Sequence, residues 1–81
     1  MDFLPIFMNI RGQRCLVVGG GEIAARKAAL LQEAGAEISV VSPQLAASLQ
    51  RQAEQGRIGY RQGAFEASDL EGVSLVIAAT S

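Results

Sequence analysis

Gly19, Gly20 and Gly21 stand together between the apolar run Cys15-Leu16-Val17-Val18 and an alanine-rich stretch that begins at Glu22. Gly19, Gly21 and Ala24 satisfy the spacing G-x-G-x-x-[GA], in which each position has a physical task when a strand precedes it and a helix follows. Gly19 allows the tight turn. Gly21 removes the side chain that would hold a pyrophosphate away from the backbone, and Ala24 keeps the helix close to the strand. Gly20 occupies the variable position. A helix start here adds free N–H groups and a partial positive charge, so the chemistry on offer is the cradling of phosphates. The spacing alone is weak, and a glycine turn that merely connects two elements reads the same way.

The elements around the glycines decide how much weight the spacing bears. Residues 14–18 end in the continuous apolar stretch Leu16-Val17-Val18, which suits a strand buried on both faces, as in a parallel sheet. Residues 22–34 hold no proline or internal glycine and are rich in alanine and leucine, so a helix is predicted, with Gly35 in the stopping position. Residues 37–41 form a second strand. Ser42 and Pro43 then read as a helix start, the hydroxyl as N-cap and the proline at the first helical position. Leu45, Leu49 and Ala53 follow on one face, and Gly56 ends that helix. Ile58 and Tyr60 alternate in a short third strand. The segment "QGAFEASDLEG" is a connection with room for one helical turn, anchored to the core by Phe65 and Leu70. Residues 75–79 are a fourth, buried-type strand.

Strands alternating with helices predict an α/β fold with a parallel sheet and right-handed crossovers, and a long return after the third strand puts the fourth beside the first. The expected fold is a Rossmann-like doubly wound parallel sheet, its first half plus one strand, in the order 3-2-1-4. A complete domain of that kind has about two more strands, so residues 1–81 read as one partial, truncated dinucleotide-binding domain. The glycine spacing, placed at the first strand-to-helix turn of such a unit, becomes a fairly specific dinucleotide signal.

Composition removes other classes of function. The chain has 81 residues with 7 Lys+Arg against 8 Asp+Glu, and its scattered basic residues offer no stripe for a nucleic-acid backbone. No apolar stretch approaches the roughly 20 residues that span a bilayer, and the start lacks the pattern of a secretory signal, which reads as a cytoplasmic protein without a membrane partner. There is no histidine and one cysteine, Cys15, so imidazole metal sites and Ser/His or Cys/His nucleophilic machinery are excluded. Cys15 opens the strongest apolar run and is expected to be a buried structural thiol.

Three features depart from a generic nicotinamide site. The acidic residue usually found at the end of the second strand, where it accepts ribose hydroxyls, is replaced by Ser42-Pro43-Gln44. Ser42 or Gln44 could hydrogen-bond a ribose, and Ser42 could equally serve only as a helix cap. Glu22 suits the helix dipole but opposes a pyrophosphate, so its carboxylate is expected to point aside, toward a ribose hydroxyl. On a helical projection Ile23, Leu30, Leu31 and Ala34 form the buried face, and Lys27 falls among them. Its stem could pack while the ammonium reaches water, or the ammonium could reach a phosphate, a substrate carboxylate or the edge of a neighbouring element.

The opening "LPIFMNIRGQRCLVVGGGEIAARKAALLQEAGAEISVVSP", followed later by "LVIAATS", resembles the N-terminal domain of the siroheme synthase, precorrin-2 dehydrogenase/sirohydrochlorin ferrochelatase family. The resemblance covers essentially the whole chain. Its most specific parts are Leu4-Pro5-Ile6-Phe7, the glycine loop with Ala24, Arg26 and Lys27 after it, and Ala78-Ala79-Thr80. It implies NAD-dependent oxidation of precorrin-2 to sirohydrochlorin, then insertion of ferrous iron, by a full-length protein that is a homodimer. In many members a uroporphyrinogen-III C-methyltransferase domain follows. The NAD contacts it implies fall on Gly19, Gly20, Gly21, Glu22 and Ile23, on Pro43 and Gln44, and on Thr80; the missing ribose acid is also a family feature. The family's catalytic aspartate maps beyond residue 81, so no catalytic or metal-binding residue is assigned here, and little or no activity is expected of these residues alone. The rival reading is a regulatory module that senses a nucleotide without turnover.

Overall fold

The computed structural model describes residues 10–79. Their order is β1 (Arg14–Val18), α1 (Glu22–Glu33), β2 (Glu37–Ser42), α2 (Ala47–Glu54), β3 (Gly59–Gln62), a 3-10 turn (Ala67–Leu70) and β4 (Leu75–Ala78). All three strand pairings are parallel and the sheet order is β3-β2-β1-β4. This is the expected 3-2-1-4 order of the first half of a doubly wound sheet plus one strand.

Parallel pairing buries the central strand on both faces. In β1, Cys15, Leu16 and Val17 are all buried, and in β2 so are Ile38, Val40, Val41 and Ser42. Cys15, Val17, Ile38 and Val40 pack with the helices, in one cluster with Ala24, Ala28, Leu31 and Leu49. Leu16 and Val41 lie on the opposite face, where the segment between β3 and β4 crosses. Leu31 and Leu49 are fully buried, and burial of such a side chain contributes about 1.5–3 kcal/mol each.

Both helices stop where glycine permits. Gly35 has φ +90°, its N–H donates to Gln32 O and the Ala36 N–H to Leu31 O, a Schellman closure of α1. Gly56, at φ +76°, closes α2 in the same way, with its N–H on Ala53 O and the Arg57 N–H on Gln52 O.

Several local expectations are corrected. Ser42 does not cap α2 and Pro43 is not its first residue: Ser42 ends β2, paired with Gln62 of β3, and α2 starts four residues after Pro43 with Ala46 at its N-cap. The ladder with β3 keeps Ser42 extended, so the local Ser-Pro signal loses to strand pairing. The buried face of α1 is Ala24, Ala28 and Leu31, at i, i+4 and i+7, whereas Ile23 and Leu30 are exposed, as is Ala34 at the C-cap. Small residues let the helix axis approach the sheet, and the larger side chains are turned outward. Phe65 and Leu70 do not anchor the connection; both are more than two-fifths exposed. Ile58, buried, precedes β3 and half-buried Tyr60 lies within it. Leu75 and Ile77 of β4 are half-buried while Val76 and Ala78 are exposed, so this strand is less covered than its apolar sequence implies.

Candidate functional site

The carboxyl ends of β1, β2 and β4 are knotted together by backbone hydrogen bonds. Gly19 N–H donates to Val41 O at 2.9 Å, Ala79 N–H to Val18 O at 2.8 Å, and Ala46 N–H to Gly20 O at 2.6 Å. The three glycines therefore run through a crowded junction, and each has a different environment. Gly19 has φ +127°, and a Cβ there would lie 2.6 Å from Ala79 O. Gly20 is buried, and a Cβ would collide with Gln44 O and come within 2.7 Å of Ser42 Oγ. Sequence spacing made Gly20 the variable position; its own fold requires glycine there, because the turn after β2 packs directly on it.

Gly21 differs from both. Its φ of −89° is open to any residue, and a Cβ built on it would meet no protein atom within 4 Å. Neither backbone geometry nor packing among the described residues calls for glycine at this position. It is also the N-cap of α1, with no side-chain hydrogen bond to the first turn, so the leading N–H groups of the helix face the space beside it. A cleft of about 500 Å³ occupies that space. Its floor is Val18 to Ile23, one wall is Val41, Ser42 and Pro43, and the other is Gly63, Ala64 and Phe65, with Ala79 at the back.

Of the residues singled out from sequence, Gly19, Gly20, Gly21, Glu22, Ile23, Ser42 and Pro43 line this one cleft. Gln44 instead lines an adjoining depression with Pro43, Leu45, Tyr60 and Gln62. Thr80 lies outside the described residues, as does the Leu4-Pro5-Ile6-Phe7 start. The Ser42 hydroxyl is engaged locally: it donates to Gln44 O at 2.5 Å and accepts from Gln44 N–H at 3.3 Å. Lys27 is half-buried on α1 and does not line the cleft. Among the described residues that do, Glu22 is the one that is charged.

Sequence reasoning missed the wall at Gly63, Ala64 and Phe65. The signal available was a glycine directly after a strand with an aromatic residue two positions on. Asp69, in the polar connection after β3, is not a solvated surface acid. The Asp69 side chain is only 8% exposed and forms a two-point ion pair with Arg61, Nε to Oδ1 and Nη2 to Oδ2, both 2.6 Å. Hydrogen bonding from Arg61, then from the Glu66 N–H, holds the Asp69 carboxyl below the ordinary aspartate range. Burial pushes the Cys15 thiol up, in keeping with a structural role.

A cleft over a helix start with no side-chain cap, at the carboxyl edge of a 3-2-1-4 parallel sheet, defines a dinucleotide-binding α/β domain. The family described as "Putative NAD(P)-binding" matches residues 6–81. The chain is 54% identical over 80 residues to a siroheme synthase of Nitrosococcus oceani and 51% identical to one of Photorhabdus laumondii; each alignment covers 99% of this chain and 17% of the relative. A solved structure of SirC, precorrin-2 dehydrogenase, superimposes with a TM-score of 0.85 at 29% identity, covering 98% of this chain and 40% of that one. The chain belongs to the NAD(P)-binding family, as an N-terminal domain of the siroheme synthase/precorrin-2 dehydrogenase type. Its cofactor class is the nicotinamide dinucleotides, consistent with NAD. It spans about one sixth of the length of the curated relatives it matches.

Proposed function

We propose that this chain is the NAD-binding portion of an enzyme that oxidises precorrin-2 to sirohydrochlorin, and that the full-length protein then inserts ferrous iron to give siroheme. The observation that carries the reading is Gly21. A glycine stands where neither backbone torsion nor packing among the described residues requires one, and what it keeps clear is the approach to the first turn of α1. Gly19 and Gly20 shape the turn so that this opening exists. In this reading Gly21, Glu22 and Ile23 present backbone N–H groups to the pyrophosphate, while Ser42, Pro43 and Gln44 stand at the adenosine ribose. Thr80 is proposed to complete the site on the β4 side.

The cofactor, when bound, supplies a hydride acceptor. The residues of this chain bind and orient it. Among the described residues this reading assigns no base for the coupled proton: Asp69 is held by Arg61, Glu66 and Glu71 are exposed and do not line the cleft, and Glu22, which does, opens the helix at the phosphate end. The reading therefore places the base, the iron-handling groups and the dimer contacts of the homodimer outside these residues, and the protein in the cytoplasm.

Calorimetry of NAD+ on the full-length protein, followed by absorbance of sirohydrochlorin on addition of precorrin-2, tests the reading. Binding with turnover supports it. NAD+ binding without turnover favours a nucleotide-sensing module, and no binding removes both.

A further inference from the structure

The wall formed by Gly63, Ala64 and Phe65 is built in an unusual way. Gly63 N–H extends the sheet ladder to Ser42 O at 3.1 Å, and Tyr60 donates its hydroxyl proton to the same carbonyl at 2.8 Å. Past that point the chain leaves the sheet at Gly63, φ +142°. The segment carries no core anchor, since Phe65 is 44% and Leu70 43% exposed. What fixes it is polar. Arg61 Nη2 donates to Ala64 O at 2.7 Å as well as to Asp69 Oδ2, and Asp69 Oδ2 accepts the Glu66 N–H at 2.7 Å. One guanidinium–carboxylate pair thus ties the backbone on both sides of Phe65, at Ala64 and at Glu66.

The backbone is thus fixed on both sides of Phe65 while its ring is left nearly half in water, where its exposure forgoes burial. Phe65 lines the same cleft as Ser42 and Pro43, and it follows β3, the neighbour of β2 in the sheet. In a sheet of this kind the end of the second strand marks the adenosine ribose.

Resting on the dinucleotide reading above, we propose that Phe65 is the apolar wall of the adenosine subsite and that Arg61 and Asp69 are positioning residues that hold it there. The clip acts on binding through Phe65. An aromatic face against an adenine is tolerant of small shifts but lost on truncation, so the effect should be confined to dinucleotide affinity and to KM, with kcat preserved.

The test uses the full-length protein, with NAD+ and ADP-ribose as calorimetric probes. Phe65→Ala should weaken both by roughly five- to tenfold, and Phe65→Tyr should restore wild-type affinity. Asp69→Asn cannot accept every hydrogen bond the carboxylate does, whichever way its amide turns. It should weaken NAD+ severalfold and raise the KM for NAD+ without lowering kcat, and Arg61→Lys should behave likewise. In the Phe65→Ala background, Asp69→Asn should add no further loss, which a general loss of stability would not reproduce. Independent, additive losses overturn the positioning role, and a loss for NAD+ but not ADP-ribose overturns the adenosine assignment. Wild-type protein that binds neither probe overturns the dinucleotide reading itself; wild-type binding with unaffected variants overturns only the inference about Phe65 and its clip.

Discussion

Replacing Gly21 by alanine separates binding from folding more cleanly than any other single change. The added Cβ meets no protein atom within 4 Å and the backbone φ of −89° accepts it. Alanine is a poorer N-cap than glycine, by several tenths to about 1 kcal/mol. It also reduces the entropy of the unfolded chain, by about 0.4–1 kcal/mol in the opposite sense. The two nearly cancel, so the melting temperature should stay within about 5 °C of wild type. The bound state is different. The methyl group projects into the space over the first turn of α1, where a pyrophosphate would take its N–H groups. Displacing even one charge-assisted hydrogen bond loses about 1.5–3 kcal/mol, which is roughly a 10- to 150-fold rise in Kd for NAD+. Isothermal calorimetry and thermal melting on the same preparation read both quantities. Wild-type affinity in Gly21→Ala would refute the phosphate-approach role, and a large loss of stability would show that the open space beside Gly21 is not there.

Gly20→Ala should do the reverse. Its methyl group overlaps Gln44 O and crowds Ser42 Oγ, so overpacking costs about 1–3 kcal/mol of stability, read as a lowered denaturant midpoint; an unchanged midpoint counts against the packing described at this turn. Asp69 should make stability depend on acid. Because Arg61 lowers its folded-state pKa, the contribution is complete above the ordinary aspartate value and is lost as pH falls through the lowered one. The melting temperatures of wild type and Asp69→Asn should converge on acidification, and a gap that stays constant would dismiss the ion pair as the cause. Cys15, the one cysteine and fully buried, should react with a thiol reagent only as fast as the protein opens, so labelling in the native state at the rate of a free thiol would contradict its place in the core.

Much of the fold was legible because its signals are continuous or strongly periodic. Leu16-Val17-Val18 suits a buried strand, and β1 runs through it with Leu16 and Val17 buried, while Gly35 and Gly56 stop their helices at the positions expected of them. What escaped were competitions that sequence alone does not rank. Ser42-Pro43 has the chemistry of a helix start, but pairing with Gln62 keeps Ser42 in the sheet. Ile23 and Leu30 look like core residues beside Ala24 and Ala28, yet the close approach of α1 to the sheet favours the alanines. In the candidate site the first and third glycines were placed by spacing, while Gly20 acquires its constraint from Gln44 and Ser42, more than twenty residues along the chain. The Phe65 wall depends on the Arg61 and Asp69 ion pair across a connection, a contact that no local pattern announces.

A crystal structure of the full-length protein soaked with NAD+ tests the central claim most directly. The account predicts a pyrophosphate against Gly21, hydrogen-bonded to the first-turn N–H groups of α1. A dinucleotide bound elsewhere, or one whose phosphates stay clear of Gly21, would contradict it.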